Sequence, residues 1–204
     1  VRHEQGATHM ADGYARASGK PGVCMVVPGP GLLNASAAIG SAFAASSPIL
    51  VVSGQIPKDS IGKDIGLLHE VNDQMIAIQQ VTKATYRMLE PEEVPSTVHE
   101  AFRQLLTGRP RPVEIEIPPD TLAETADIDL LEPGNYGRDV ASEEQVNEAA
   151  RILSEAKDPI IWAGGGVIAS GGSEELTRIA EHLQAPVHVT HEGKGAIDER
   201  HYLS

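Results

Sequence analysis

Glu4 is the residue of this 204-residue chain best placed to do chemistry. It stands in Arg2-His3-Glu4-Gln5-Gly6-Ala7, at the mouth of a segment where Ala7, Met10, Ala11, Tyr14 and Ala15 recur at helical spacing. A negative charge at a helix N-terminus is favoured by the dipole and by unpaired backbone N–H groups. On the residues alone Glu4 can satisfy its own first turn, or it can hold a proton for a bound ligand. His3 beside it reads as a packing or hydrogen-bonding residue. Pro28-Gly29-Pro30-Gly31-Leu32-Leu33-Asn34 is a turn opening a second small-residue helix, with Pro30 and Gly31 at its start and Asn34 one turn in. Gln55, in Ser53-Gly54-Gln55, follows an apolar strand, where parallel α/β sheets place their ligands. Its other reading is polar capping of a loop. His69 can shuttle protons near neutral pH or be a surface residue. Gly164-Gly165-Gly166 marks a strand-to-helix turn, without the spacing of a dinucleotide fingerprint.

The elements that position these residues follow from the apolar pattern. Residues 23–27, 49–53 and 113–117 read as strands, and 32–45 as an Ala-rich helix between the first two. Near-continuous apolar strands alternating with helices predict α/β architecture, with parallel sheets carrying helices on both faces. Residues 55–72 read as a loop. Val94, Val98, Ala101, Phe102 and Leu105 give one face of an amphipathic helix over 92–106. Residues 122–141 are acidic, hold Pro133, Gly134 and Gly137, and show no period, which predicts a linker. Ser142 and Gln145 then form a capping-box start, with Val146, Ala149, Ala150 and Leu153 on one face. Strands at 160–163 and 187–190 flank a helix from Ser173, with Leu176, Ile179, Ala180 and Leu183 directed inward. Two domains result, 1–121 and 142–204.

Bulk properties narrow the function classes. A net charge of −13 argues against nucleic acid or an anionic membrane as the main partner. Aromatic residues make up only 3%, so the cores must be built from Ala, Val, Ile and Leu. The single cysteine, Cys24, lies in an apolar run and reads as a buried core thiol. No stretch has the length of a transmembrane helix and no signal peptide is visible, so a cytoplasmic location is the expectation. The eight histidines show no metal-ligand spacing, and no metal site is expected within the chain.

Four motifs occur in order over some fifty residues: R-H-E-x-x-A, A-D-G-Y-A-R-x-S-G-K-P-G, G-P-G-x-x-N and S-G-Q. Together they resemble the pyrimidine-binding domain of thiamine-diphosphate enzymes of the acetolactate synthase type. The resemblance implies that 1–121 is that domain, lacking its first part. By the same resemblance, 142–204 begins a Rossmann-like central domain. It implies that Glu4 hydrogen-bonds N1′ of the cofactor's aminopyrimidine and favours the imino tautomer that deprotonates C2 of the thiazolium. Burial is expected to raise the proton affinity of Glu4 for this task. Pro30, Gly31, Asn34 and Gln55 are expected beside the cofactor, which acts as electron sink for decarboxylation or carboligation of a 2-oxo acid. His69 occupies a slot where the family carries glutamine, a departure that weakens acetolactate synthase as the specific activity.

In acetolactate synthases the counterparts of Arg109 and of Gly164, Gly165 and Gly166 lie beside FAD. Relatives without flavin share the glycine turn, and His191-Glu192 replaces two apolar residues of the flavin pattern, so FAD stays open. Magnesium ligands are expected in a further C-terminal domain, because its G-D-G and N-N signature is not in this sequence. The chain then covers about a third of a family member and is expected to be inactive alone. The resemblance also implies a homodimer or homotetramer, because pyrimidine and diphosphate domains of neighbouring subunits meet. Glyoxylate carboligation is disfavoured, since that branch lacks the glutamate present here. Two readings of other classes stand beside this one: a nicotinamide oxidoreductase using Gly164 to Gly166, and a non-catalytic regulatory module.

Overall fold

The computed structural model describes residues 1–137 and 139–204. Arg138, within the expected linker, lies outside the described residues. The chain divides into two compact units, Val1–Arg138 and Asp139–Ser204.

The first unit runs α1 (Glu4–Ser18), β1 (Gly22–Val26), α2 (Pro30–Ala44), β2 (Ile49–Gly54), α3 (Gln74–Ile78), β3 (Ala84–Arg87), α4 (Val94–Leu106), β4 (Val113–Ile117) and α5 (Pro119–Ala123). Its four strands form a sheet of order β1-β2-β4-β3, and every neighbouring pair is parallel. The α/β class expected from the strand pattern is the one observed. On one face Cys24, Val26, Ile49 and Val51 pack under Ala11 and Ala15 of α1 and Leu32, Ala35 and Ile39 of α2. Small residues at this contact let the two helices lie close to the sheet. On the opposite face Leu50, Val113 and Ile115 pack under Ala101 and Leu105 of α4, with Val94, Val98 and Phe102 beside them. The edge strand β1 keeps Val23 and Met25 exposed, so helical cover there lies on one side only.

Two local expectations change, and two short elements lie where the apolar pattern gave none. The buried face of α1 is Thr8, Ala11, Asp12 and Ala15, while Met10 and Tyr14 point to solvent. Two polar residues can turn inward because each is satisfied: Thr8 Oγ1 donates to the Glu4 carbonyl at 3.3 Å, and Arg16 pairs with Asp12 at 2.9 Å. Helix α3 and strand β3 arise from a stretch with no clear period. Asp73 caps α3 by accepting from the N–H groups of Met75 and Ile76, and β3 is fixed by pairing to β4. Part of the expected linker is not a free connection, because Ile128, Leu130, Leu131 and Tyr136 lie along α4 over a cavity of about 510 Å³. The Tyr136 hydroxyl donates to the His99 carbonyl at 3.1 Å there.

The second unit holds α6 (Glu143–Glu155), β5 (Ile161–Ala163), α7 (Gly165–Ser170), α8 (Ser173–Leu183) and β6 (Val187–Val189), with β5 and β6 parallel. Ala163, Leu176, Ala180, Val187, Ala196 and Ile197 form its core. Ile179 is exposed, because the inward face of α8 is centred on Leu176 and Ala180. The capping box of Ser142 and Gln145 opens α6 as expected. Its face of Val146, Ala149, Ala150 and Leu153 is nevertheless uncovered, since none of its residues is buried.

Candidate functional site

In a parallel sheet the carboxyl ends of the strands share one edge, and loops leaving that edge can converge on a ligand. Here the turn after β1 carries Pro28, Gly29, Pro30 and Gly31, and the exit of β2 carries Gln55. Glu4 is the first residue of α1, and Asn34 lies one turn into α2. Packing of α1 on α2 brings the two together: Asn34 Nδ2 donates to Glu4 Oε2 at 3.0 Å. His3 caps α1, its Nδ1 accepting from the Gln5 N–H at 3.2 Å.

The turn itself has little freedom. Gly29 holds φ at 56°, a left-handed value that side chains rarely adopt, and a Cβ there would run into the carbonyl oxygen of His69. A Cβ on Gly31 would meet Val27 Cγ2 and stand 3.4 Å from Glu4 Oε1. These two glycines allow the turn to pass close to the Glu4 carboxylate. Three sequence-selected features, Glu4, the 28–31 turn and Asn34, thus meet at one place.

The electrostatics of Glu4 differ from the expectation. The hydrogen bond from Asn34, then that from its own backbone N–H, hold its carboxyl below the usual carboxylate range. Its carboxyl is open to solvent, so desolvation, which acts in the opposite direction, does not prevail in this chain. A carboxylate held ionised and aimed by an amide is suited to accept a hydrogen bond from a protonated ring nitrogen.

Gln55 turns elsewhere. Its Nε2 donates to Glu116 Oε1 at 3.2 Å and its Oε1 accepts from the Ile56 N–H at 2.7 Å. His69 reaches the turn through its backbone, at a φ of 71°, in a loop closed where Glu70 accepts from the Leu67 N–H. Arg109 Nε donates to Ser46 Oγ at 2.8 Å. In the second unit, Gly164 follows β5 as the N-cap of α7 and Gly165 and Gly166 begin that helix, where a Cβ on Gly165 would stand 3.0 Å from the Glu192 carbonyl oxygen. That glycine packs against its own unit's 190–193 turn. Arg109 and the glycines belong to different units. Among the described residues, no group of three His, Cys, Asp or Glu side chains is placed to hold a metal ion.

Behind the turn lies a polar cluster absent from the sequence reading. Along β4, Val113 and Ile115 face α4, so the alternate residues Glu114 and Glu116 face the other way, and both are fully buried. Glu116 is paired with Arg87 and accepts from Gln74 Nε2 at 2.7 Å. Glu114 accepts from the Ser53 hydroxyl at 2.6 Å, and its other oxygen has no partner. Burial, then the neighbouring Glu116, pushes the Glu114 carboxyl up to about 8, against the opposing hydrogen bond of Ser53. The signal was present in the alternation Val-Glu-Ile-Glu-Ile: a strand inside a sheet covered on both faces must bury its glutamates with partners.

Comparison with known proteins gives the family context. Residues 1–81 match the thiamine pyrophosphate enzyme N-terminal TPP binding domain, and residues 146–204 match the central domain of thiamine pyrophosphate enzymes. The chain is 42% identical over 211 residues to a probable acetolactate synthase large subunit of Methanocaldococcus jannaschii, covering all of this chain and 35% of that protein. It is 43% identical over 199 residues to the probable 2-ketoarginine decarboxylase AruI of Pseudomonas aeruginosa, covering 97% of this chain and 35% of the relative. The thiamine diphosphate-dependent 4-hydroxybenzoylformate decarboxylase of Rhodococcus jostii RHA1 superposes with a TM-score of 0.82 at 26% identity, over 92% of this chain and 36% of that one. The chain thus spans little more than a third of the length of these proteins.

Proposed function

The chain belongs to the thiamine pyrophosphate enzymes, and from that premise we propose that its protein uses thiamine diphosphate to break or make the bond beside the carbonyl of a 2-oxo acid. When bound, the cofactor supplies an electron sink for that bond. This chain supplies the pyrimidine end of the site. Glu4 holds the ring nitrogen by a charge-assisted hydrogen bond, Asn34 fixes the carboxylate's orientation, and Gly31 keeps the backbone low enough for the ring. The observation that carries this reading is the 3.0 Å contact between Asn34 and Glu4 beside the 28–31 turn. The open side of Glu4 is where a covering element of the whole protein would desolvate it and bring its proton affinity towards that of the pyrimidine.

Both acetolactate formation and decarboxylation fit, and the relatives carry both names at similar identity. Histidine at position 69, where acetolactate synthases carry glutamine, favours the decarboxylase as the second reading, with His69 as a proton carrier. Magnesium would be held by residues outside this chain and would offset the negative charge of the cofactor's diphosphate. A homodimer or homotetramer would complete the site, each pyrimidine domain meeting a diphosphate domain of its neighbour. Flavin binding is a separate question for the whole protein, and the flavin absorbance of the purified protein decides it. No helix among the described residues is long and apolar enough to cross a membrane. A cytoplasmic site of action completes the proposal, supported by Cys24 as a buried free thiol that needs no oxidising compartment.

The test is calorimetry of the intact protein with thiamine diphosphate and magnesium, followed by product analysis with pyruvate and, separately, with bulkier 2-oxo acids. Saturable binding with release of acetolactate supports the carboligase; binding with acetaldehyde, or with turnover of bulkier 2-oxo acids only, supports the decarboxylase. No cofactor binding refutes both.

A further inference from the structure

Gln74 is 1% exposed and spends its whole amide on four partners. Its Oε1 accepts from the Gly29 N–H at 2.7 Å. Its Nε2 donates to Glu116 Oε2 at 2.7 Å and to the Gly54 carbonyl at 2.8 Å, with Ser53 Oγ at 3.2 Å sharing the second hydrogen. The amide has a single workable orientation, because a flip would set its N–H₂ against the Gly29 N–H and its oxygen against a carboxylate. The far side is equally determined. Arg87 pairs with Glu116 and also reaches Asp73 at 3.2 Å, the residue that caps α3 and precedes Gln74. The guanidinium therefore sets both the acceptor that Gln74 donates to and the helix start that carries it.

On the near side, Gly29 occupies the N-cap position of α2, in an unusual backbone conformation with no side-chain cap. Its carbonyl accepts from the Leu33 N–H, in the turn that presents Asn34 to Glu4. Without Gln74 the Gly29 N–H would be a buried donor with no partner, a costly state that moving the turn relieves. The structure assigns Gln74 as a positioning residue: through the Gly29 N–H it locks the 28–31 turn, and hence Asn34 and Glu4, against the sheet, with Arg87 and Glu116 as its anchor. This assignment rests on the proposed role of the turn as the cofactor's seat. The hydrogen bond itself can be tested without cofactor.

The experiment is residue-resolved hydrogen exchange on the intact protein, wild type beside Gln74→Met and Gln74→Glu, followed by thiamine diphosphate titration with magnesium. Methionine keeps the length and removes the acceptor. Glutamate keeps the acceptor, and in its protonated form it also keeps a donor towards Glu116 in place of the lost Nε2–H. Gln74→Met is expected to raise Gly29 exchange about tenfold, leave the amides of Val51 and Ile115 near wild type, and weaken the cofactor about tenfold. Gln74→Glu is expected to restore Gly29 protection at pH 6. Unchanged Gly29 exchange in a folded Gln74→Met protein would overturn the assignment. So would faster exchange in equal measure across β2 and β4, in both variants, which would reduce Gln74 to general packing. Wild-type protein that shows the exchange pattern but binds no thiamine diphosphate would instead sink the proposed function and leave the hydrogen bond standing.

Discussion

Replacing Glu114 by glutamine should reverse its effect on stability between acid and alkaline pH. In the native chain the Glu114 carboxyl is fully buried, one oxygen accepts from Ser53, and the other has no partner. Burial first, then Glu116, raises it from 4.5 to about 8, so the folded protein keeps this proton at neutral pH while the unfolded chain has lost it. Between these values the native state binds the extra proton. The stability it represents is complete below about 4.5 and is lost as pH rises towards 8, at roughly 1.4 kcal/mol per pH unit. The full window corresponds to roughly 4–5 kcal/mol, of which about 3 is already lost at pH 7.

Glutamine has nearly the same shape, still accepts from Ser53 and carries no titrating proton. It leaves N–H groups without a partner where the second oxygen now lies, at a cost of about 1–2 kcal/mol at every pH. Glu114→Gln should therefore be less stable than wild type by about 1 kcal/mol at pH 5 and more stable by about 2–3 kcal/mol at pH 8. Urea titration at pH 5, 6, 7 and 8, with pulse-labelled hydrogen exchange of peptides covering β2 and β4, reads this in the unit that holds Glu114. A stability gap that stays constant across these four pH values would refute the assignment of a protonated Glu114.

The remaining predictions concern the turn and its support. Gly31→Ala should weaken thiamine diphosphate binding at least about tenfold, because the new methyl meets Val27 and crowds Glu4; calorimetry checks it. Asn34→Ala should let the Glu4 carboxyl titrate higher, since the Asn34 hydrogen bond is the largest cause of its lowering, and carbon-detected NMR titration of Glu4 reads the direction. Arg87→Met strips the cation from buried Glu116 and should cost roughly 3–5 kcal/mol in urea unfolding of the first unit, an effect that a shift below about 1 kcal/mol would contradict.

Much of the site was legible because its parts are local. A carboxylate at a helix start, two glycines in a turn and an asparagine one turn later are all positions where residue type and backbone need coincide. The parallel sheet was legible from the apolar runs of β1 and β2 separated by a helix, with β4 following the next amphipathic helix. What the sequence concealed depends on contacts made far along the chain. Met10 and Tyr14 have the spacing of a buried face, yet Thr8 and Asp12 take their place because local partners satisfy those polar groups. Strand β3 has no pattern of its own and exists through its pairing with β4. Gln74 lies just past the 55–72 loop with no pattern to mark it, and its partners Gly29 and Glu116 stand 45 and 42 positions away. Gln55 illustrates the reverse: its place at a strand end was read correctly, while Glu116, 61 positions distant, takes up its amide.

The central claim, that Glu4 activates bound thiamine diphosphate, is tested most directly by exchange of the C2 proton of the bound cofactor with solvent deuterium. The intact wild-type protein and Glu4→Gln would be quenched in acid and read by NMR, with cofactor affinity measured in parallel. The account predicts affinity within a few-fold of wild type and C2 exchange slowed at least about a hundredfold, in the range that loss of a positioned proton-transfer group produces. Equal exchange rates in two proteins that both bind the cofactor would contradict it.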